Sequence, residues 1–185
     1  MRTSVTVTHL EMRSPADLRP SVHVPEDTIL LLAAEASPEF GRFLYTAVGG
    51  DWHWRDRLPW TWDDWLQRLS RPDVETWVLY CRGTPGGYFE LEARGDEVQI
   101  VYFGLLPAFA GRGLGGYLLT QAVHRAWMMV PSVKRVWVHT CTLDHDAALP
   151  NYLARGFSRF AEETFEAELP DQPPGPWAGA GRRTG

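Results

Sequence analysis

The amino-acid sequence predicts an α+β domain, with helices flanking a mixed, mostly antiparallel central sheet. Three observations carry this expectation. Between Thr76 and Leu105, β-rich segments are interrupted only by tight turn signals, as an antiparallel meander requires. Next, Pro107–Gly113 forms a glycine-bearing loop that opens into an amphipathic helix ending near Met129. Beyond it, Arg135–Thr140 is β-branched and aromatic, and a short helical stretch and one or two further strands complete the chain.

The elements follow in order. Val5–Met12 alternates as a first strand, and the apolar run Ile29–Ala34 reads as an extended element. Ser37 before Pro38 is an N-cap followed by proline at the first helical position. That helix is expected to turn Phe40, Phe43, Leu44 and Ala47 inward and to stop at Gly49-Gly50. Thr61 or Asp63 caps a short helix through Leu69, with Trp62, Trp65, Leu66 and Leu69 at helical spacing and Pro72 ending it. Strands are expected at Thr76–Cys81, Gly87–Ala93 and Glu97–Leu105, joined by the turns Gly83–Gly86 and Arg94-Gly95-Asp96. The following helix repeats Leu114, Leu118, Ala122 and Ala126 every four residues, with Leu119 and Val123 alongside, and Pro131 closes it. Ala147–Arg155 is helical, Gly156 is its stop signal, and Phe157–Leu169 is extended. Residues 1–169 thus read as one domain, and the Pro/Gly-rich Pro170–Gly185 as a disordered tail.

Composition narrows the function. The chain has 185 residues, 44% hydrophobic and 22% charged, enough to fill a core and to exclude a wholly disordered protein. Its 18 basic and 23 acidic residues leave a net charge of −5, against the basic stripe of a nucleic-acid binder. No segment approaches the roughly 20 apolar residues of a membrane span, and the N-terminus lacks the apolar core of a signal peptide. Cys81 and Cys141 form neither a disulfide framework nor a metal-type spacing. The expectation is a cytoplasmic protein with no membrane, nucleic-acid or metal partner.

The glycine loop carries the chemistry. In Ala110-Gly111-Arg112-Gly113-Leu114-Gly115-Gly116 the first-turn N–H groups lack helical partners and sit at the positive end of the macrodipole. Glycines let a phosphate approach that backbone, so the reading is a diphosphate site. A Walker loop would need a Gly-Lys-Ser/Thr that is absent. Gly111–Gly116 formally matches G-x-G-x-x-G, but no Asp or Glu lies between Glu97 and Asp144 to hold a ribose. The plain alternative is a helix start that uses glycine for packing.

The segment resembles the GNAT acetyltransferase superfamily, whose signature Q/R-x-x-G-x-G/A places Ala110, Gly113 and Gly115 at its first, fourth and sixth positions. Val101–Pro107 is similar to the family's bulged strand, and Gly104 suits a bulge. His145–Phe157 is similar to the family's N-x-x-A-x-x-L-Y-x-x-x-G-F helix, matching at Tyr152, Gly156 and Phe157, with His145 in place of Asn and Asn151 in place of Leu. The resemblance implies a GNAT-like sheet in which the bulged strand splays from its neighbour, with pantetheine between the two. It implies acetyl-CoA as cosubstrate, without a metal. Its contacts would come from Leu105, Leu106, Ala110, Gly111, Arg112, Gly113, Leu114, Gly115, Gly116 and His145. The activity implied is transfer of acetyl to a primary amine of a small molecule or peptide by direct attack, and the family leaves room for a homodimer.

Acyl transfer to an amine needs a base on the acceptor side and an acid near sulfur. The resemblance and the phenol's ordinary pKa near 10 make Tyr152 the acid, the plain alternative being a tyrosine packed between helix and sheet. Glu90, Glu92 and Glu97 lie on the adjacent strands. Glu90 is the favoured base, though such residues are equally often solvent-facing strand charges. His145 either orients substrate or shuttles a proton, or caps its loop, and Cys141 reads as a buried small residue rather than an acyl carrier. Trp52, Trp54 and Trp60 fall where the family builds its acceptor cleft, and nearby Asp51, Asp56, Asp63 and Asp64 suit a cationic amine. Two other classes compete: a CoA-responsive binding protein without turnover, and a dimerisation module using the aromatic surface.

Overall fold

The computed structural model describes residues 2–180. Its strands are β1 (Arg2–Met12), β2 (Thr28–Leu32), β3 (Val74–Cys81), β4 (Thr84–Arg94), β5 (Glu97–Leu105), β6 (Arg135–Cys141) and β7 (Ser158–Glu168). Its helices are α1 (Pro38–Gly49), α2 (Trp62–Leu69), α3 (Leu114–Met128) and α4 (Ala148–Ala154). The strands form one sheet in the order β2-β3-β4-β5-β6-β1-β7. All pairs are antiparallel except β5 with β6, where α3 supplies the crossover that a parallel pair needs. The α+β class with a mixed, mostly antiparallel sheet is therefore as expected.

The β3–β4 hairpin is tighter than its glycines suggest. Arg82 and Gly83 both hold left-handed φ, 50° and 83°, so β4 already begins at Thr84. The bulge also lies elsewhere. Leu91 faces Ile100 while Glu90 faces Tyr102, so the extra residue of β5 is Val101, not Gly104. Gly104 is small for packing, since a Cβ there would stand 2.5 Å from Val48 Cγ1 on α1.

β4 divides the core by alternation. Phe89 and Leu91 face α3 and α4 with Leu10, Ile100, Leu118, Leu119, Val138 and Tyr152. Tyr88 faces α1 with Leu44, Val48 and Val78. Burying each such side chain contributes about 1.5–3 kcal/mol. Ser37 Oγ accepts the Phe40 N–H to cap α1, and Thr61 forms a capping box with Asp64 on α2. Phe43 and Trp62, expected inside, are 42% and 55% exposed. Trp62 opens α2 and turns its indole N–H to Glu39 (3.0 Å), so only Trp65 anchors that short helix in the core.

Phe157–Leu169 supplies one strand, and the tail has neither helix nor strand through Ala180. The Gly175 N–H donates to the Gly50 carbonyl at 2.9 Å. The rest of the expected disordered tail, residues 181–185, lies outside the described residues. Among the described residues no helix is long and apolar enough to cross a membrane.

Gly156 turns the chain from α4 into β7 at φ 100°, where a Cβ would meet the Asp17 carbonyl oxygen at 2.0 Å. Gly156→Ala is expected to lower stability by at least about 1–3 kcal/mol, read as a lower urea midpoint at unchanged m.

Candidate active site

The glycine loop has the geometry of an anion cradle. Gly111 and Gly113 hold φ of 74° and 75°, and Gly113 is the N-cap of α3. A Cβ on Gly116 would sit 2.6 Å from Arg155 Nη1, and one on Gly113 2.9 Å from His23 Cδ2. Glycine is thus imposed by φ at 111 and 113, while the Arg155 and His23 side chains lie close over the loop. Asn151 Nδ2 donates to the Gly115 carbonyl (3.2 Å), tying α4 to the first turn of α3. Ala110, Gly111, Gly113, Gly115 and Gly116 line one end of a cavity of about 1010 Å³. Two of the contacts expected from this loop do not line it. The Arg112 guanidinium lies 5.0 Å from the Phe109 ring, and the Leu114 side chain is buried in the core.

From this end the cavity runs into the split between β5 and β6. Their ladder covers only Glu97–Ile100 and Arg135–Val138. The Leu106 N–H donates back to the Gly86 carbonyl of β4 (2.9 Å), which withdraws Leu106 from the gap as well as from the cavity wall. Antiparallel alternation then turns the peptide groups of Phe103 and Leu105 towards β6. Leu105 was expected there and Phe103 was not.

Tyr152 stands in the wall of this cavity, only 5% exposed, with Phe103 and Phe157 at ring distances of 6.0 and 5.9 Å. Burial, and then the Asp144 charge, push its phenol well above the usual range, so it is protonated at neutral pH. His145 also lines the cavity. Its Nδ1 accepts the Ala147 N–H (3.0 Å) where the α4 N-cap, Ala147, has no capping side chain, and its ring meets Trp52 edge-on at 5.1 Å. Cys141 faces the cavity too, but burial and Asp144 raise its thiol pKa, which disfavours the nucleophilic thiolate.

The far end is walled by Trp52, Trp54 and Trp60. A Cβ on Gly49 would lie 2.2 Å from the Trp54 ring, so glycine at the end of α1 lets that indole fold back onto Tyr102 (4.7 Å). Of the four aspartates expected near the tryptophans only Asp56 lines the cavity, and it accepts the hydroxyls of Tyr45 (2.6 Å) and Tyr102; of the three strand glutamates only Glu92 lines it. Asp64 is engaged by the α2 cap. His53, which sequence reasoning passed over, lines the cavity at φ 58° with Nδ1 buried and unpartnered among the described residues.

The structure removes Glu90 from the role of base. Its carboxylate is 2% exposed and does not line the cavity. Arg57 grips it in a fork, Nη1 to Oε2 at 2.7 Å and Nη2 to Oε1 at 2.8 Å, and Arg68 adds Nη2 to Oε1 at 2.6 Å. Burial pushes the Glu90 pKa up, but these guanidinium groups more than reverse it and hold the carboxyl ionised. Glu92 is likewise engaged by Arg68 (2.9 Å), Arg71 (2.9 Å) and Arg94 (3.2 Å), and Glu97 by Arg135 (3.2 Å). The Arg57 guanidinium also stacks on Trp60 and Tyr102, 4.5 and 4.4 Å from their centroids, so Glu90 fixes the aromatic end of the cleft.

The cavity thus runs from a helix N-terminus through a split parallel pair to an aromatic pocket. The chain matches the family model "Acetyltransferase (GNAT) family" over residues 33–157. It therefore belongs to the GNAT acetyltransferase family. A solved GCN5-related N-acetyltransferase from Kribbella flavida superposes with a TM-score of 0.62 at 19% identity, over 89% of this chain and 58% of its own. One from Sphaerobacter thermophilus gives 0.60 at 17% identity, over 88% and 51%. The ribosomal-protein-S18-alanine N-acetyltransferase from Escherichia coli gives 0.54 at 14% identity, over 72% and 80%. The chain thus spans little more than half the length of the first two. No curated protein sequence matches it.

Glu90→Gln would leave Arg57 and Arg68 without their shared charge, and a loss of about 3–5 kcal/mol in urea unfolding is expected. Because the folded-state pKa lies below the ordinary 4.5, the contribution is fully present above that value and is lost as pH falls below it. The gap between wild type and variant should narrow in acid and stay constant near neutrality.

Proposed function

We propose that this chain transfers acetyl from acetyl-CoA directly to a primary amine. The observation that carries the reading is the single cavity linking the glycine cradle, the β5–β6 split and Tyr152. The unpaired amides of Gly111–Gly116 would hold the diphosphate, with the α3 dipole behind them. Peptide groups of Phe103 and Leu105 would pair with pantetheine amides, and an N–H of the same strand would polarise the thioester carbonyl. The acceptor would enter between Trp52, Trp54 and Trp60, and its nitrogen would attack the carbonyl carbon as the C–S bond breaks. Tyr152 would protonate the departing sulfur. The desolvation that raises its own pKa also disfavours a free thiolate, which keeps the transfer favourable.

Titration calorimetry with CoA, paired with thiol release from acetyl-CoA across a panel of small amines and peptide N-termini, tests the proposal. Binding with amine-dependent thiol release is expected. Absence of binding overturns it, and binding without release for any amine marks a CoA-responsive binding protein instead.

Tyr152→Phe is expected to lower kcat by about 10²–10⁴-fold while calorimetric CoA affinity stays as in wild type. Unchanged turnover would return Tyr152 to a packing role.

A further inference from the structure

Glu90 is locked between two arginines, Glu92 lines the cavity but is held by Arg68, Arg71 and Arg94, and Glu97 is paired with Arg135, so none of the glutamates expected to serve as base is free to do so. We infer that His139 is that base, a catalytic residue that takes the acceptor's proton at the cavity wall, with His9 as its positioning residue. The inference rests on the acetyl-transfer reading above.

The geometry comes from where β6 leaves β5. Their last paired residues are Ile100 and Val138, so His139 is the first β6 residue beyond the ladder, at the mouth of the split. Val138 packs into the α3/α4 core, so alternation turns His139 to the opposite face, where the tryptophans stand. It lines the same cavity as Tyr152, Trp54 and Asp56. The two proton-handling groups thus approach the split from opposite faces of the sheet.

His139 is also poised in charge. Its directly paired neighbour on β1 is His9, with ring centroids 5.9 Å apart, and His9 Nε2 lies 3.1 Å from Glu163 Oε1 of β7. His139 keeps a face open to solvent, and the partial desolvation of its ring first, and then His9, lower its pKa below the ordinary imidazole value. Asp144 in the loop after β6, Asp56 in the tryptophan loop and Glu163 act in the opposite sense without prevailing. The imidazole is therefore neutral at pH 7, with a lone pair free to accept a proton.

The protons balance. An acceptor ammonium carries three, and the product amide nitrogen keeps one. His139 takes the first before attack and passes it to solvent. The second, lost as the C–N bond forms and the C–S bond breaks, restores the phenol of Tyr152, whose own proton has gone to sulfur.

The test compares wild type, His139→Gln and His9→Asn by thiol release with one accepted amine over pH 5–9, alongside histidine NMR titration of the free protein. Wild-type kcat/KM should show an acidic limb with its midpoint below about 6.5, the ordinary imidazole value. In His139→Gln kcat should fall about 10²–10⁴-fold, the limb should vanish, and added imidazole should restore part of the rate. His9→Asn should keep the limb but move it to higher pH, an effect that loss of packing alone does not produce. A His139→Gln enzyme with the wild-type limb and rate overturns the inference while leaving acetyl transfer standing. If wild type acetylates no amine, the functional reading fails by itself. The NMR arm then still decides for His139, since titration at or above the ordinary value overturns its assignment as a base poised neutral.

Discussion

The parting of β5 from β6 is the constraint on which the rest of this structure depends. Two parallel strands joined by α3 pair for four residues each and then diverge, with the bulge at Val101 placed where pairing ceases. A bulge adds local twist and re-aims the following residues. Downstream of it β5 remains paired with β4, the Leu106 N–H included, so its other edge is turned to an open gap. Unpaired peptide groups in the middle of a sheet are costly unless something pairs with them. In this molecule they border a cavity, with the amide-rich start of α3 at one end. The same divergence lets groups from the two faces of the sheet meet: Tyr152 belongs to the α3/α4 core, and His139 faces the opposite side.

The buried charge network does a different task. Glu90 and Glu92 sit on the α1/α2 side of β4 against Arg57, Arg68, Arg71 and Arg94. A bidentate pair at 2% and 6% side-chain exposure replaces water with fixed geometry rather than adding much net stability. The gain is positional. Arg57 belongs to the segment between α1 and α2, which has no regular structure, and Glu90 is its anchor on the sheet. Through stacking on Trp60 and Tyr102 that anchor sets the aromatic wall of the cleft. A carboxylate committed to holding the wall is not available to move protons, which separates the scaffold of this cleft from its chemistry.

Much of this was legible from local signals. Ser37, the four-residue period of α3 and the glycines at 111, 113 and 156 each state a backbone requirement within a few residues of themselves. The places of Tyr152 and of the glycine loop on the cavity wall were readable because they follow from that local backbone. What stayed hidden depends on long-range pairing. Nothing in residues 2–12 tells that β1 inserts between β6 and β7, so the His9–His139 pair, 130 positions apart, has no local signature. Arg57 and Glu90 are separated by 33 residues, and either alone reads as a surface charge. Leu106 failed as a contact because a single hydrogen bond, to Gly86, turns its N–H the wrong way.

Placing the proton acceptor on β6 rather than β4 changes what the acceptor's nitrogen must satisfy. A β4 carboxylate would meet an ammonium ion as an ion pair and hold its charge in place. A neutral imidazole in an aromatic setting offers only a lone pair, so the nitrogen is favoured there in its uncharged, reactive form. The flat walls of Trp52, Trp54 and Trp60 would still attract a cation through their faces before the proton is lost. Recognition would then fall to the aromatic end and deprotonation to the mouth of the split. The acceptor would give up its charge as it moves from one to the other, and the neutral amine would be the species that reaches the carbonyl in the gap between β5 and β6.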